Sequence, residues 1–181
     1  MPLLPAILET PRLRLRKPKA SDAASIFAAY GQDPDVAYYM IWRPHTEVKQ
    51  TNDFIHGCLK SWKGEERLPY VIVRQGHDEP LGMLDARLHE HMVDIGYVLA
   101  KNEWGYGFMP EAVDALVVSL FSVPDIYRVQ ATCDVENKAS WRTLETSGFK
   151  QEGLLKRYAI HPNISPAPRA CYMYARCRGD A

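Results

Sequence analysis

The sequence has no excess of charge of either sign. Lysine plus arginine and aspartate plus glutamate each number 22 among 181 residues, which gives a formal net charge of zero at pH 7. No bulk electrostatic field would therefore draw the protein onto nucleic acid or an anionic membrane, and neither is an expected partner. Any ligand has to be recognised locally, by a small group of residues.

Cysteine is scarce and forms no motif. Cys58, Cys133, Cys171 and Cys177 include no CxxC pair and no histidine at a close metal-ligand spacing. This argues against a zinc site and a dense disulfide framework, so no metal is expected and a reducing compartment fits best. No cysteine–histidine partnership is visible that would activate a thiol as a nucleophile.

Long apolar runs are missing as well. The apolar stretch from Leu3 to Leu8 is interrupted by Pro5 and has neither a basic flank nor a cleavage-like segment. No stretch approaches the roughly 18 apolar residues that a membrane-spanning helix needs. Because 46% of the residues are apolar and the length suits one core, we expect a single cytoplasmic domain over residues 1–181.

The sequence does contain a regular succession of strand and helix patterns. Three central strand patterns are joined by connections too short for parallel crossovers, so they predict an antiparallel meander. The whole predicts an α/β (α+β) fold with a mixed, mainly antiparallel twisted sheet of about seven strands and about four flanking helices. Strands are predicted over 12–16, 70–73, 81–88, 92–99 and 127–135 and on both sides of a proline-rich loop at 161–168, and helices over 21–31, with a short segment opening at 33–34, over 46–64, from 110 onward and over 138–147.

Two glycines mark the turn before the helix that is predicted to begin near Pro110. Gly105 and Gly107 follow the strand that ends at Leu99, where free backbone N–H groups and the helix dipole favour an anion. Proline suits a first helical position, since its missing N–H has no partner there. A plain strand-to-helix turn is the alternative. A dinucleotide fingerprint would need a third glycine at Pro110 and a P-loop would need GxxxxGK, so both are disfavoured.

Six short segments, spread over nearly the whole chain, form a recognisable series. The first set is 104–112 (WGYGFMPEA), followed about thirty residues on by 137–140 (NKAS) and 144–149 (LETSGF), and the second set is 10–16 (TPRLRLR), 95–99 (IGYVL) and 151–153 (QEG). The first set resembles the motifs of the GNAT superfamily of N-acetyltransferases, in the same order, and the second resembles its ribosomal-protein N-acetyltransferase branch. The resemblance implies a GNAT fold and acetyl-CoA as co-substrate.

The resemblance also implies where the cofactor binds. The turn equivalent to residues 105–109 cradles the CoA diphosphate in that superfamily, and the strand equivalent to residues 97–99 pairs its backbone with the pantetheine arm. Asn102 stands where glutamine or arginine is expected, which leaves the diphosphate contact to backbone amides. The implied cofactor-binding residues are Tyr97, Val98, Leu99, Gly105, Tyr106, Gly107, Phe108, Met109 and Asn137.

One departure from the superfamily concerns the proton donor. A tyrosine that often protonates the departing CoA is replaced here by Leu144, whereas Ser140 resembles a proposed proton donor of the ribosomal-protein branch. Without the resemblance, Asn137 and Ser140 would be interpreted as helix-cap and first-turn residues. Asp94 or Asp85 could serve as general base if its side chain points into the cleft; the alternatives are a surface charge and a water chain. The catalytic candidates are Ser140, Asn137 and Asp94.

Recognition of the acceptor is expected from loops beside the strand ends, around residues 37–46 and 158–169. Tyr39, Trp42 and Arg43 are the candidate substrate-binding residues, although ordinary packing of helix ends would explain this cluster equally well. The acceptor is expected to be a primary amine, either a protein N-terminus or a small molecule, and a homodimer is left open. A catalytically silent CoA-binding sensor or scaffold is the alternative function.

Overall fold

The structure is a computed structural model that describes residues 4–64 and 66–180. Leu3, the start of the apolar stretch, and the outermost residues of the expected 1–181 domain lie outside the described residues. The strands are β1 (Ile7–Glu9), β2 (Leu13–Arg16), β3 (Arg67–Arg74), β4 (Pro80–His89), β5 (Met92–Leu99), β6 (Arg128–Asp134), β7 (Lys150–Ala159) and β8 (Arg169–Cys177), and the helices are α1 (Asp22–Ile26, continued as a wider π-helical turn over Phe27–Gly31), α2 (Pro34–Ala37), α3 (Val48–Gly64), α4 (Phe108–Phe121) and α5 (Lys138–Thr146).

The eight strands of the described residues form one sheet in the order β1-β2-β3-β4-β5-β6-β8-β7. Every neighbouring pair is antiparallel except β5 and β6, which run parallel and are connected through α4. The predicted mixed, mainly antiparallel sheet with a central meander is confirmed. The strand beyond the expected seven is β1, whose three residues are too short for a period-two pattern.

Helices cover both faces of the sheet. The apolar residues of α4 belong to the larger core cluster, and those of α1 and α3 mainly to a smaller one. Along β3 the two clusters alternate, with Tyr70 and Ile72 in the larger and Val71 and Val73 in the smaller, because successive strand residues point to opposite faces. None of the described helices is both long enough and apolar enough to cross a membrane.

The parallel pair of strands, β5 and β6, separates towards one end. Their pairing covers three residues on each strand, from Met92 with Arg128 to Asp94 with Gln130. Beyond Asp94, β5 stays paired only with β4, and β6 only with β8. The sheet is therefore split at its centre, next to the N-termini of α4 and α5.

Helix α4 begins two residues earlier than predicted. Gly107 precedes the first helical residue, Phe108, so Pro110 occupies the third helical position and its predicted first position is wrong. The first backbone hydrogen bond that closes the helix is donated by Glu111 N to Gly107 O, at 3.4 Å. All four N-terminal amides of a helix lack intrahelical partners, which is why proline fits anywhere in this first turn.

Candidate active site

A cavity of about 860 Å³ opens at the split between β5 and β6. Its walls come from the end of β5, the turn before α4, one face of α5 and the segment around α2. Of the residues predicted from sequence, Tyr106, Trp42, Arg43 and Asp94 do not line this cavity. Those that do are Tyr39, Tyr97, Val98, Leu99, Gly105, Gly107, Phe108, Met109, Asn137 and Ser140.

The turn before α4 presents backbone N–H groups without protein partners. Gly105 and Gly107 have φ angles of 84° and 73°, in the left-handed region that favours glycine. A Cβ on Gly105 would meet nothing within 4 Å, so backbone conformation and not crowding requires glycine there. In the part of the chain that the structure describes, no protein oxygen accepts a hydrogen bond from the amides of residues 105–109. Free amides at the positive end of a helix dipole suit a diphosphate.

The end of β5 offers the cavity a strand edge with no neighbouring strand. No described strand pairs with the β6 side of β5 over residues 95–99. The carbonyl of Leu99 accepts a hydrogen bond from Trp104 Nε1 at 2.9 Å, which fastens the following loop to the strand. An extended ligand with amide groups can add to such an edge as another strand would.

Asn137 and Ser140 form the N-terminus of α5. Asn137 is the N-cap, and its Oδ1 accepts from Ser140 N at 3.2 Å. The Tyr97 hydroxyl lies 3.0 Å from both the carbonyl oxygen and the Oγ of Ser140. Because the carbonyl can only accept and the phenol has one proton, the Ser140 hydroxyl is the donor to Tyr97 when Tyr97 donates to that carbonyl. Burial raises the pKa of Tyr97 more than this hydrogen bond lowers it, so the phenol is protonated at neutral pH.

This bond between Tyr97 and Ser140 is a feature that the sequence analysis missed. The two residues are 43 positions apart in the chain, and only the folded sheet brings them together. The superfamily motif gave Tyr97 a backbone role, and no local pattern indicates its side-chain partner. Its hydroxyl contacts the predicted proton donor, Ser140.

Burial works against activation of the two thiols nearest the site, those of Cys133 and Cys171. Burial raises the pKa of Cys133, which lies beside Ser140, to about 12. The structure places Cys171 Sγ 3.7 Å from His161 Nε2, a cysteine–histidine contact that is not visible in the sequence. Burial raises the pKa of Cys171 as well, so its thiol is not activated. Among residues 4–64 and 66–180, no group of three metal-ligating side chains converges as a metal site would require.

The two candidate base carboxylates lie outside the cavity and are held by neighbours on the sheet. Asp94 Oδ1 accepts from Gln130 Nε2 at 2.8 Å, and its Oδ2 lies 2.9 Å from His89 Nε2. Asp85 accepts from Arg67 Nε at 2.8 Å. Asp94 and Gly96 occupy the opposite side of β5 from Tyr97, so the structure does not bring Asp94 to Ser140.

The predicted acceptor residues are only partly at the cavity. The Tyr39 hydroxyl donates to Glu136 O at 3.2 Å, which places Tyr39 across the mouth from α5. Trp42 packs near His45 and its carbonyl accepts from Asn163, while Arg43 is exposed. Asn163 also donates to Ala37 O, so both loops expected to surround the acceptor are joined by this one amide.

Helix α5 adds cationic side chains that the sequence analysis did not assign to the site. Lys138 and Arg142 line the cavity together with Thr146. These residues are spaced four apart, so they share one face of the helix. That spacing is visible in the sequence, but nothing there indicates which face of α5 meets the cavity.

The family follows from comparison with known proteins. A family model for the acetyltransferase (GNAT) domain matches residues 12–150. The chain belongs to the GNAT acetyltransferase family. The resemblance to the GNAT superfamily is thereby confirmed, as is the prediction that the protein is an acetyltransferase enzyme.

Individual relatives agree with this family. An uncharacterized N-acetyltransferase, p20 of Bacillus licheniformis, is 35% identical over 155 residues, which cover 83% of this chain and 86% of that protein. The structure of the microcin C7 self-immunity acetyltransferase MccE in complex with acetyl-CoA and AMP has a TM-score of 0.85 at 22% identity, covering 98% of this chain and 99% of that one. RimL, a ribosomal L7/L12 alpha-N-protein acetyltransferase in complex with coenzyme A, has a TM-score of 0.84 at 23% identity, covering 97% and 99%. At these identities the two solved structures show that the GNAT fold is shared.

Proposed function

We propose that the protein transfers the acetyl group of acetyl-CoA directly to a primary amine. One observation carries this proposal. The amides of residues 105–109, which have no protein partner, and the hydroxyl of Ser140 lie at the same cavity. The amides suit the diphosphate at one end of CoA, and the hydroxyl suits the sulfur at the other. A neutral amine can then reach the thioester carbon from the side of Tyr39.

The cofactor would lie along the split in the sheet. Its diphosphate would accept from the turn at residues 105–109, which includes the predicted contacts at Tyr106 and Met109. Its pantetheine arm would pair with the edge of β5 over residues 97–99. Lys138 and Arg142 supply positive charge on the opposite wall, where the phosphates of CoA can use it.

The transfer needs no covalent enzyme intermediate. The amine nitrogen forms a bond to the thioester carbon, the carbon–sulfur bond breaks, and the departing thiolate takes a proton from Ser140 Oγ, which regains a proton from water. The amine gives up its own proton to water, because Asp94 does not line the cavity and the carboxylates that do, Asp35 and Glu103, are paired with Lys101 and Arg74. Asn137 holds Ser140 through the helix cap, and when the Tyr97 hydroxyl donates to Ser140 Oγ the serine proton is free to go to the sulfur. A thiol with a pKa near 8.5 leaves readily, so placing the amine against the thioester contributes more than the acid does.

The acceptor class is an amine presented to the cavity mouth beside Tyr39. Trp42 and Arg43 would contact only an acceptor that extends beyond the cavity, as a peptide does and a small amine does not. RimL, one of the structural neighbours, is described as an alpha-N-protein acetyltransferase of ribosomal L7/L12. A peptide N-terminus is therefore the first acceptor to test. The cytoplasmic location and the homodimer remain predictions.

A thiol-release assay separates the enzyme from a silent CoA-binding scaffold. Acetyl-CoA would be supplied with a panel of peptides with free N-termini and a panel of small amines, and CoA binding would be followed in parallel by calorimetry. We expect release above the rate of hydrolysis with at least one amine. Binding of CoA without release for any acceptor would favour the scaffold, and absence of CoA binding would remove the cofactor site itself.

A further inference from the structure

The motif at residues 10–16 has no part in the proposed chemistry, yet Arg12 in its first half contacts the turn before α4, on the side away from the cavity. Arg12, which directly precedes β2, donates through Nη1 to Tyr106 O at 2.9 Å and through Nη2 to Gly107 O at 3.3 Å. These contacts span 94 and 95 positions of the chain. One guanidinium therefore holds two consecutive carbonyls of the turn before α4.

These two hydrogen bonds determine where the neighbouring amides point. In a planar trans peptide, the C=O of one residue and the N–H of the next are directed to opposite sides. The carbonyls of Tyr106 and Gly107 face Arg12, so the N–H groups of Gly107 and Phe108 face away from it. Gly107 and Phe108 both line the cavity. The arginine thus lies behind the turn, and the proposed diphosphate site lies in front.

The guanidinium is itself fixed by Glu111 in α4. Glu111 Oε2 accepts from Arg12 Nε at 2.6 Å, and Oε1 accepts from Arg12 N at 3.0 Å and from Thr10 Oγ1 at 2.5 Å. Burial raises the pKa of Glu111, but the hydrogen bonds from Thr10 and Arg12 together outweigh this and lower it below the ordinary value. The Arg12 guanidinium also lies 4.7 Å from the centre of the Phe108 ring. Arg12 is therefore held at its guanidinium, at its backbone N–H and over the face of the Phe108 ring.

We propose that Arg12 is a positioning residue for the cofactor, which clamps the carbonyls of Tyr106 and Gly107 so that the amides of Gly107 and Phe108 are oriented for the CoA diphosphate. This inference rests on the proposed cofactor site. A turn with two glycines has more backbone freedom to lose on binding than other turns, and a clamped turn has lost it beforehand. Lysine would keep the charge but cannot hold both carbonyls and a carboxylate with one fork.

The test compares ligands with and without a diphosphate. Calorimetry would measure the binding of coenzyme A and of S-acetylpantetheine, which lacks the diphosphate, to wild type, Arg12→Ala and Arg12→Lys. Arg14→Ala is the matched control, because it removes the same charge only two residues along the chain, while Arg14 contacts His77 O and Asp78 instead of the turn before α4. We expect Arg12→Ala to weaken CoA binding about tenfold and to leave S-acetylpantetheine binding within about twofold. Arg12→Lys should recover little of the loss, and Arg14→Ala should resemble wild type.

Several results would overturn the clamp. They are an unchanged CoA affinity in Arg12→Ala, an equal loss for both ligands, and full recovery in Arg12→Lys, which would show that charge alone matters. If Arg12→Ala does not fold, Arg12→Lys carries the test, since it keeps the charge and the aliphatic stem. Failure of the wild type to bind CoA would instead remove the proposed cofactor site, and that result needs no variant.

Discussion

Ser140 is the residue on which the proposed proton transfer depends. We expect Ser140→Ala to lower kcat about tenfold, below the usual contribution of a general acid, because the thiolate is a good leaving group. The dissociation constant for CoA should stay the same, since the backbone of α5 and its Asn137 cap are retained. Thiol release and calorimetry measure the two quantities.

The control for this substitution is Ser61→Ala in α3. It removes the same hydroxyl from a helix remote from the cavity, where Ser61 Oγ donates to Cys58 O. Ser61→Ala should have the wild-type rate. A wild-type rate in Ser140→Ala would exclude Ser140 as the acid.

A second substitution at a single residue, Gly107, tests whether the turn before α4 binds the cofactor. We expect Gly107→Val to weaken CoA binding at least tenfold, because its φ of 73° is strained for a β-branched residue and relief of that strain would turn the amides of the site. Gly76→Val is the matched control: Gly76 has a φ of 75° in the turn between β3 and β4, outside the cavity. Both variants should lose stability in thermal unfolding, but only Gly107→Val should lose CoA affinity in calorimetry. Equal CoA affinity in the two variants would remove the turn from the site.

Residues that act through local sequence were predictable, and residues that act across the fold were not. Gly105, Gly107, Asn137 and Ser140 belong to short motifs whose geometry is set by the adjacent helix, and the structure places all four at one cavity. Arg12 contacts a turn more than ninety positions away, and neither its alternation with leucine nor its place in the segment 10–16 indicates that contact. Long-range pairing of this kind has no period or spacing that a single sequence can display.

At the scale of elements, connection length decided most of the topology. The hairpins between β3, β4 and β5 are too short for crossovers, so the antiparallel meander could be predicted with its order. The split between β5 and β6 could not be predicted, because a strand pattern shows which residues form a strand but not over which of them it pairs with the next strand. The cavity depends on that split, which is why its lining on α5 and around α2 was only partly foreseen.

The buried carboxylate of Asp134, at the end of β6, is bonded both to the start of β8 and to the loop before α5. Asp134 Oδ2 accepts from Arg169 Nε at 2.6 Å, and its Oδ1 accepts from Glu136 N at 2.9 Å. Burial raises the pKa of Asp134, but the bonds from Arg169 and the backbone outweigh it and hold the pKa below its ordinary value. A lowered pKa means that Asp134 stabilises the fold above the unfolded pKa and that this contribution is lost as the pH falls through the folded one.

The contribution of Asp134 to stability should depend on pH. We expect Asp134→Asn to lower the free energy of unfolding by about 2 kcal/mol at pH 7. This gap between the free energies of unfolding of variant and wild type should narrow below about pH 4. Urea unfolding at a series of pH values measures both. Asp53→Asn, at an exposed pair on α3, is the control and should show no gap at any pH. A gap that stays constant down to pH 2 would mean that the carboxylate charge is not responsible.

At the scale of the whole molecule, Arg16 ties the sheet to the helical layer that carries the acceptor side of the cavity. Its guanidinium donates to both carboxylate oxygens of Asp22 in α1, at 2.9 and 2.8 Å, and to Asp78 Oδ1 in the turn between β3 and β4, at 2.7 Å. The side chains of Arg16 and Asp22 are only 6% and 4% exposed. Because α1 leads directly into α2 and Tyr39, this pair positions one wall of the cavity from outside it.

Removing one partner of this pair should therefore affect the whole fold. We expect Arg16→Met to lower the free energy of unfolding by about 3 kcal/mol, because it leaves the Asp22 carboxylate buried without its cation. Lys49→Met, which breaks the exposed pair with Asp53, should cause no measurable change in urea unfolding. The double variant Arg16→Met with Asp22→Leu should regain much of the loss, since two apolar side chains can replace a buried ion pair. If Arg16→Met were as stable as wild type, the ion pair would not contribute to holding the sheet and the helices together, and the apolar contacts of α1 and α3 would account for their packing.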